Sequence, residues 1–290
     1  MKDQPTSPRP IAIVLGCGEI GSAVALALHQ AGLAVVLVDE ADPAWHRRGM
    51  AFTNAWYIGN AELESEGACF CASLKSIPSV LTRRMIAATT WSWPGVAAAL
   101  EPAMLVDARG RKRRGSEVLR GRVPLTIGIG SGFVDGEIVD VAIEAPLGSA
   151  NGSGRMENEN RSPAVKGQDE CHGWTGGIAV EAPRHGRFMT ERRIGDTVRV
   201  GQIVGGLGNE VVRAPEAGVL LGLAARGARI EPGDTLVEVD PDGIAYRCYG
   251  VSEGPRRIAS AVLAALAARG ICAAEPAGRT DTLATVRLNR

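Results

Sequence analysis

Aromatic side chains make up only 4% of this 290-residue chain, and no lysine occurs anywhere after Lys166. So few aromatics argue against a stacking surface for single-stranded nucleic acid. The formal net charge is zero, so no whole-protein attraction to nucleic acid or anionic lipid is expected. Long hydrophobic runs are missing as well. The first apolar run, Ile11 to Leu15, is far too short for a signal or membrane span, and the ten residues before it are polar and proline-rich. A cytoplasmic protein without a membrane partner is expected. The six cysteines, with no signal segment before them, read as reduced thiols. The only close pair is Cys69-Phe70-Cys71. One intervening residue is not the spacing of a zinc knuckle and no histidine cluster lies nearby, so small buried hydrophobes are expected and no metal site.

What remains is the composition of a soluble globular protein, 45% apolar and 22% charged, with length enough for two domains. Ile11 to Leu15, "IAIVL", suits a strand buried on both faces of a parallel sheet. Gly16-Cys17-Gly18-Glu19-Ile20-Gly21 follows at once. Next comes a helix with Ile20, Val24, Leu28 and Ala31 on one face, stopped by Gly32, and then "LAVVLVDE", a second strand ending at Asp39. In this pattern Gly16 makes the tight turn, Gly18 lets a pyrophosphate approach the backbone, and Gly21 allows close helix–strand packing. The helix start offers unpaired N–H groups and a positive dipole end to the phosphates. Asp39 stands 18 residues after Gly21, where a carboxylate can accept hydrogen bonds from both ribose hydroxyls. Glu40 and Asp42 add negative charge that would repel a 2′-phosphate, so NAD or a related dinucleotide is expected rather than NADP.

Further along, a mixed segment broken by Pro94 reads as helical from Gly95. A short strand then ends at Asp107, and from Arg109 to Arg122 there are seven basic residues against one acid. After Pro124 the strand "LTIGIG" runs into Ser131-Gly132-Phe133. Ligands of open α/β sheets collect beyond the carboxyl ends of strands. Arg109, Lys112 and Arg113, with Gly128, Gly130 and Gly132, are therefore candidates to face the same crevice and hold a second anionic group. A solvated loop beside the sheet fits these residues equally well. "VDVAIEA" closes a Rossmann-like nucleotide-binding domain over residues 1–146.

Residues 147–176 are rich in Gly, Ser, Asn and Glu, show no apolar period, and read as a flexible linker. Over 177–245 short strands alternate with turns. The pieces "IGDTVRVGQIV", "VVRAPEAGVL" and "RIEPGDTLVEV" resemble the biotinyl/lipoyl barrel-sandwich hybrid, with Gly195-Asp196 and Gly233-Asp234 at equivalent turns of two quasi-repeats. In carrier members of that group the modified lysine lies on the hairpin between the halves, here Gly205 to Glu210, "GGLGNE". An amide-linked cofactor needs an amine, so no lipoyl or biotinyl group is carried. Residues 246–271 read as a C-terminal helix starting near Pro255, with Ile258, Val262, Leu263 and Leu266 on one face. Residues 272–290 read as a tail. The expected fold class is thus α/β: a Rossmann-like parallel sheet, then a small all-β barrel-sandwich module and a terminal helix.

Taken together, "GCGEIGSAVALALHQAG", "RRGMAFTNAWYIGNAELESEG" (Arg47 to Gly67), "VDARGRKR" and "PLTIGIGSGFVDG" resemble the accessory proteins of the selenium-dependent molybdenum hydroxylase system, related to the maturation factors of xanthine and CO dehydrogenases. The likeness covers most of the chain except linker and tail. It departs from the family at Ser131, where the turn usually has proline, and after Glu144, where "APLGSANGSG" replaces a histidine-containing segment. The resemblance implies a helper that matures a molybdenum-cofactor hydroxylase by handling its pterin cofactor, that cofactor's nucleotide form, or its sulfuration or selenation. The partner would be a molybdenum hydroxylase client. Two other classes fit the residues. An NAD-dependent oxidoreductase would need a positioned acid or base, and His29, His46, His172 and His185 fall in no recognisable constellation. A non-catalytic, nucleotide-regulated scaffold would need only the loop and the barrel. Oligomeric state leaves no mark in the sequence.

Overall fold

A computed structural model describes residues 9–109, 117–144 and 177–271. Lys112 and Arg113, the 147–176 linker and the 272–290 tail lie outside the described residues.

The first strand, β1 (Ile11–Leu15), leads through the glycine loop into α1 (Glu19–Gln30) and back to β2 (Ala34–Val38). Every residue of β2 is buried, as a two-sided central strand requires. Within β1, Ala12 and Val14 enter one core and Ile13 and Leu15 the other, the period of two expected of a strand. Next come α2 (Asn54–Ile58), β3 (Asn60–Leu63), β4 (Glu66–Phe70), α3 (Ile77–Thr82), β5 (Ile86–Thr89), α4 (Trp93–Leu100), β6 (Met104–Asp107), β7 (Leu125–Ile129) and β8 (Val141–Ile143). They form one eight-stranded sheet in the order β3-β4-β5-β2-β1-β6-β7-β8. Neighbours are parallel except for the β3–β4 hairpin at one edge. Helix α4 begins at Trp93, two residues before the expected Gly95. Pro94 sits in its first turn, where the missing N–H costs nothing. The strand order reverses at β1, which has β2 on one side and β6 on the other. The crevice beyond the carboxyl ends of β1 and β6 is the switch point where ligands of such sheets lie.

The second half is antiparallel β. Strands β9 (Ile178–Glu181), β10 (Gly186–Met189), β11 (Thr197–Val198), β12 (Ile203–Leu207), β13 (Glu210–Arg213), β14 (Gly218–Leu223), β15 (Arg229–Ile230) and β16 (Thr235–Asp240) make two four-stranded sheets, β13-β12-β10-β15 and β11-β14-β16-β9. They enclose a core around Phe188, Leu207, Leu220, Leu223 and Ile230. The two Gly-Asp turns share one geometry. Asp196 caps the Arg193 N–H at 3.0 Å with Gly195 at φ +90°, and Asp234 caps the Glu231 N–H at 2.8 Å with Gly233 at φ +89°. The hairpin expected over Gly205 to Glu210 is present as β12–β13, turning at Gly208-Asn209.

The last helix, α5 (Glu253–Ala267), returns to the α/β unit. Its Ile258, Ala259, Val262 and Leu266 join the core on the α1 side of the sheet, while α3 and α4 cover the opposite face. No helix among the described residues is long and apolar enough to cross a membrane.

Candidate functional site

The loop after β1 makes its tight turn at Gly16, which holds φ +100° and donates its N–H to the Val38 carbonyl at 2.9 Å. A Cβ on Gly21 would fall 1.8 Å from the Gly16 carbonyl oxygen, so only glycine lets α1 pack this close to the turn. Asp39, at the tip of β2, accepts the Cys17 N–H at 2.6 Å on Oδ2 and the Glu40 N–H at 2.8 Å on Oδ1. Each oxygen keeps a further lone pair able to accept another donor. From β6, the fully buried Asp107 takes a two-pronged hydrogen bond from Arg109, Nε at 2.9 Å and Nη2 at 2.6 Å. The Arg109 stem passes 3.3 Å from where a Gly16 Cβ would stand. Gly16 and Arg109 therefore meet at the mouth of the switch point, with Asp39 tied to the same loop through Cys17. The Arg109 charge is matched by Asp107, so this arginine is a hydrogen-bond donor more than a surplus cation.

The glycines of β7 do different work. A Cβ on Gly128 would lie 2.2 Å from the Phe133 ring, so this position is filled by the protein's own side chain. Gly130, at φ +118°, ends the strand and donates to Ile143, and Gly132 is buried in the turn that follows.

Beyond the acids Glu40 and Asp42, residues 45–48 carry no site motif in the sequence, yet they stand against the glycine loop. The Trp45 ring lies over Gly18, 3.1 Å from an ideal Cβ there. The Trp45 indole nitrogen is itself buried without a hydrogen-bond partner among the described residues. The next residues reach the β unit. His46 Nε2 lies 2.9 Å from Glu238 Oε2, and Arg47 donates to both Glu238 oxygens at 2.6 Å. The Leu223 N–H bonds the His46 carbonyl, and Arg48 Nε donates to the Leu223 carbonyl at 2.9 Å. A Cβ on Gly222 would overlap the His46 ring at 2.3 Å. Residues 45–48 thus form a strap with one end on the glycine loop and the other clasped by β14 and β16.

Arg47 also reaches Glu19, the first residue of α1, at 3.5 Å. All four side chains of this cluster are nearly inaccessible. Burial pushes the Glu19 carboxyl up to about 7, and Arg47, already engaged by Glu238, only partly offsets it. One Glu19 oxygen has no hydrogen-bond partner among the described residues. Burial acts on Glu238 in the same direction but is overcome by the hydrogen bonds from Arg47 and His46, which hold it down at about 2. Two carboxyls thus share one arginine, and the better-bonded one keeps the charge.

Cys17 is buried in the glycine loop, and burial beside Asp39 raises its pKa well above the ordinary value, so it stays a thiol. Burial likewise raises Cys71, and no His/Cys/Asp/Glu group able to hold a metal occurs among the described residues. A groove of about 620 Å³ runs along α4 past Pro102, Val123 and Pro124, and none of Gly16, Gly18, Asp39 or Arg109 lines it.

No family model matches the chain. Among curated proteins it is similar to the uncharacterized protein YqeB of Escherichia coli K12, 27% identical over 271 residues, covering 92% of this chain and 49% of that protein. The chain therefore spans about half the length of the curated relative it matches. Among solved structures it is similar to the product-bound ectoine utilization protein EutE (DoeB) of Ruegeria pomeroyi. That likeness is 14% identical over 80% of this chain and 52% of the other, with a TM-score of 0.19 that carries no inference about fold.

Proposed function

We propose that this chain is an accessory protein in the maturation of a molybdenum-cofactor hydroxylase. In this reading the α/β unit is Rossmann-like and takes a dinucleotide or a molybdopterin-type cofactor, with NAD as the simplest probe, in the crevice beyond β1 and β6. The β unit is a barrel-sandwich module without a swinging arm. The observation that supports it best is the convergence, at the strand-order reversal, of the Gly16 turn, the start of α1, the Asp39 carboxylate and the Arg109 donors. Asp39 fits a ribose. In this reading a diphosphate laid against Gly18 displaces the Trp45 ring that now covers it. Lys112 and Arg113 belong to the proposal as further phosphate partners, with Gly130 and Gly132 at the neighbouring strand end. Gly128 is left out because Phe133 fills its place. Lipoyl and biotinyl groups are excluded by the absence of any amine on the β12–β13 hairpin.

Turnover is not part of the proposal. A dehydrogenase needs a poised acid or base. Tyr57, beside Asp42 and Cys17, donates its hydroxyl to the Pro43 carbonyl at 2.8 Å and is pushed up by burial. A second reading, a non-catalytic scaffold, is favoured by one observation, the Trp45 ring on Gly18.

Calorimetric titration with NAD, cytidine and adenine nucleotides and molybdopterin separates the two, using the parent and Trp45→Ala. The cofactor reading expects binding that strengthens by about tenfold or more when the ring is removed, since the ligand no longer has to displace it. Silence from every ligand in both proteins leaves the scaffold.

A further inference from the structure

The two sheets of the β unit are used unequally. The outer face of β11-β14-β16-β9 is occupied by the α/β unit: Val219 and Leu221 pack with Met50 and Cys248, and Glu238 receives Arg47 and His46. The outer face of β13-β12-β10-β15 carries no such cover among the described residues. Strand register shows what it displays. Phe188 faces inward opposite Leu207, so Arg187 and Met189 face out. Met189 then stands beside Gly206, and Gly206 beside Val211. Ile203 stands opposite Arg213, and Arg187 directly opposite Arg229.

This face therefore holds three guanidinium groups and three aliphatic side chains, Met189, Ile203 and Val211, each about half exposed. None of these outward strand residues is acidic. Arg187 and Arg213 donate only to neutral carbonyls, of Gly227 and Gly201. The nearby acids already have partners among the described residues: Glu210 pairs with Arg184, Glu191, just past β10, with Arg226, and Glu231, just past β15, with His185. Like charges directly opposite on neighbouring strands destabilise a sheet, so the Arg187–Arg229 pair works against folding. Above Gly206 nothing but the Glu210 carbonyl approaches where a side chain would begin, leaving a shallow notch between Met189 and Val211.

We infer that this face docks a partner protein whose surface sets carboxylates around apolar side chains. The sign is fixed by the unmatched arginines. The class of partner follows from the mixture, since arginine and methionine are enriched where proteins meet. The outward face of these strands offers no aromatic ring on which a base could stack, since Phe188 points inward. The opposite sheet already demonstrates the same contact with charges reversed, its Glu238 taking an arginine beside Val219 and Leu221. The inference is independent of whether the crevice binds a cofactor.

The test uses the full chain and a fluorescent ten-residue peptide, Glu-Leu-Asp-Val-Gly repeated twice, with its Lys-for-acid counterpart as control. Binding of the acidic peptide alone is expected, weakening by about tenfold between 50 and 300 mM salt as screening grows. Arg187→Glu should weaken it by at least about tenfold, and Met189→Ser with Val211→Ser by about fivefold, with circular dichroism unchanged. Equal binding of both peptides, no binding, or binding unaffected by the variants overturns the inference. Phosphatidylglycerol vesicles, a 20-mer DNA and sedimentation of the protein alone are run in parallel. A variant-sensitive signal from vesicles or DNA, or a variant-sensitive dimer, assigns the face to lipid, nucleic acid or a second copy and overturns it equally.

Discussion

Replacing Glu19 by Gln should stabilise the protein at neutral pH and leave it unchanged in acid. The ordinary carboxyl value of 4.5 rises to about 7 in the fold, because burial at the start of α1 is only partly offset by Arg47. Since the folded state holds this proton more tightly than the unfolded chain, stability is fully present below pH 4.5. It is lost as pH climbs through 7 and then stays level. A gap of roughly two and a half pH units corresponds to about 3 kcal/mol. The dipole at the start of α1 favours the ionised form, but by about 0.3–1 kcal/mol in ordinary cases and about 2 at most, too little to reverse the sign. Urea unfolding of parent and variant, followed by circular dichroism from pH 4 to 8.5, reads the difference directly. The two proteins should coincide near pH 4, separate between 4.5 and 7, and differ by about 3 kcal/mol above that, the variant being the more stable. A difference that does not change with pH, or a less stable variant at pH 8, would refute the reasoning and make Arg47 the full partner of an ionised Glu19.

Glu238→Gln is expected to do the opposite. It removes the charge that both Arg47 and His46 face, and leaving a buried arginine without its main partner costs about 3–5 kcal/mol. Because Glu238 is held at about 2, its contribution in the parent is present above pH 4.5 and fades as pH falls through 2. Denaturation at pH 7 and pH 2.5 should therefore show the gap between variant and parent narrowing in acid. Gly128→Ala places a methyl group 2.2 Å from Phe133 and should cost about 1–3 kcal/mol by overpacking. The same change should cost little in a Phe133→Ala background. That double-mutant comparison, with nucleotide titration unaltered throughout, identifies Gly128 as a packing residue.

The β-strand pattern and the glycine spacing were legible in sequence because both are local. "IAIVL" and "AVVLV" are short, rich in β-branched residues and followed by a glycine loop or a polar turn, which favours strands buried on two faces over helix. Gly16 and Gly21 lie in the turn and the close approach that the motif demands. The β3–β4 hairpin left no mark because its turn is made by Glu64 and Ser65, at φ +48° and +70°, where a glycine or asparagine would have announced it. In the sequence His46 falls in no recognisable constellation, because the carboxylate that gives it and Arg47 meaning is Glu238, 191 positions from Arg47. Nothing in local spacing links them. The useful signal was the run His46-Arg47-Arg48 beside the glycine loop, three basic residues in a segment with no apolar period to bury them. Arg109 was placed near the crevice for its charge, and that charge is met by the acid two residues before it.

The strap gives the crevice a consequence that a simple glycine loop would lack. Trp45 and His46 are joined by one peptide bond, with Trp45 on Gly18 and His46 against Gly222 and Glu238. A ligand that takes the space above Gly18 must move the first, and where the Trp45 ring cannot turn aside on its own torsions the motion passes through that peptide bond to the second. By linkage, any factor by which such a ligand loosens the grip on Glu238 is the factor by which loosening that grip tightens the ligand. Glu238→Gln should then bind nucleotide more strongly than the parent although it is less stable. A scaffold whose loop merely packs would show the loss of stability without the gain.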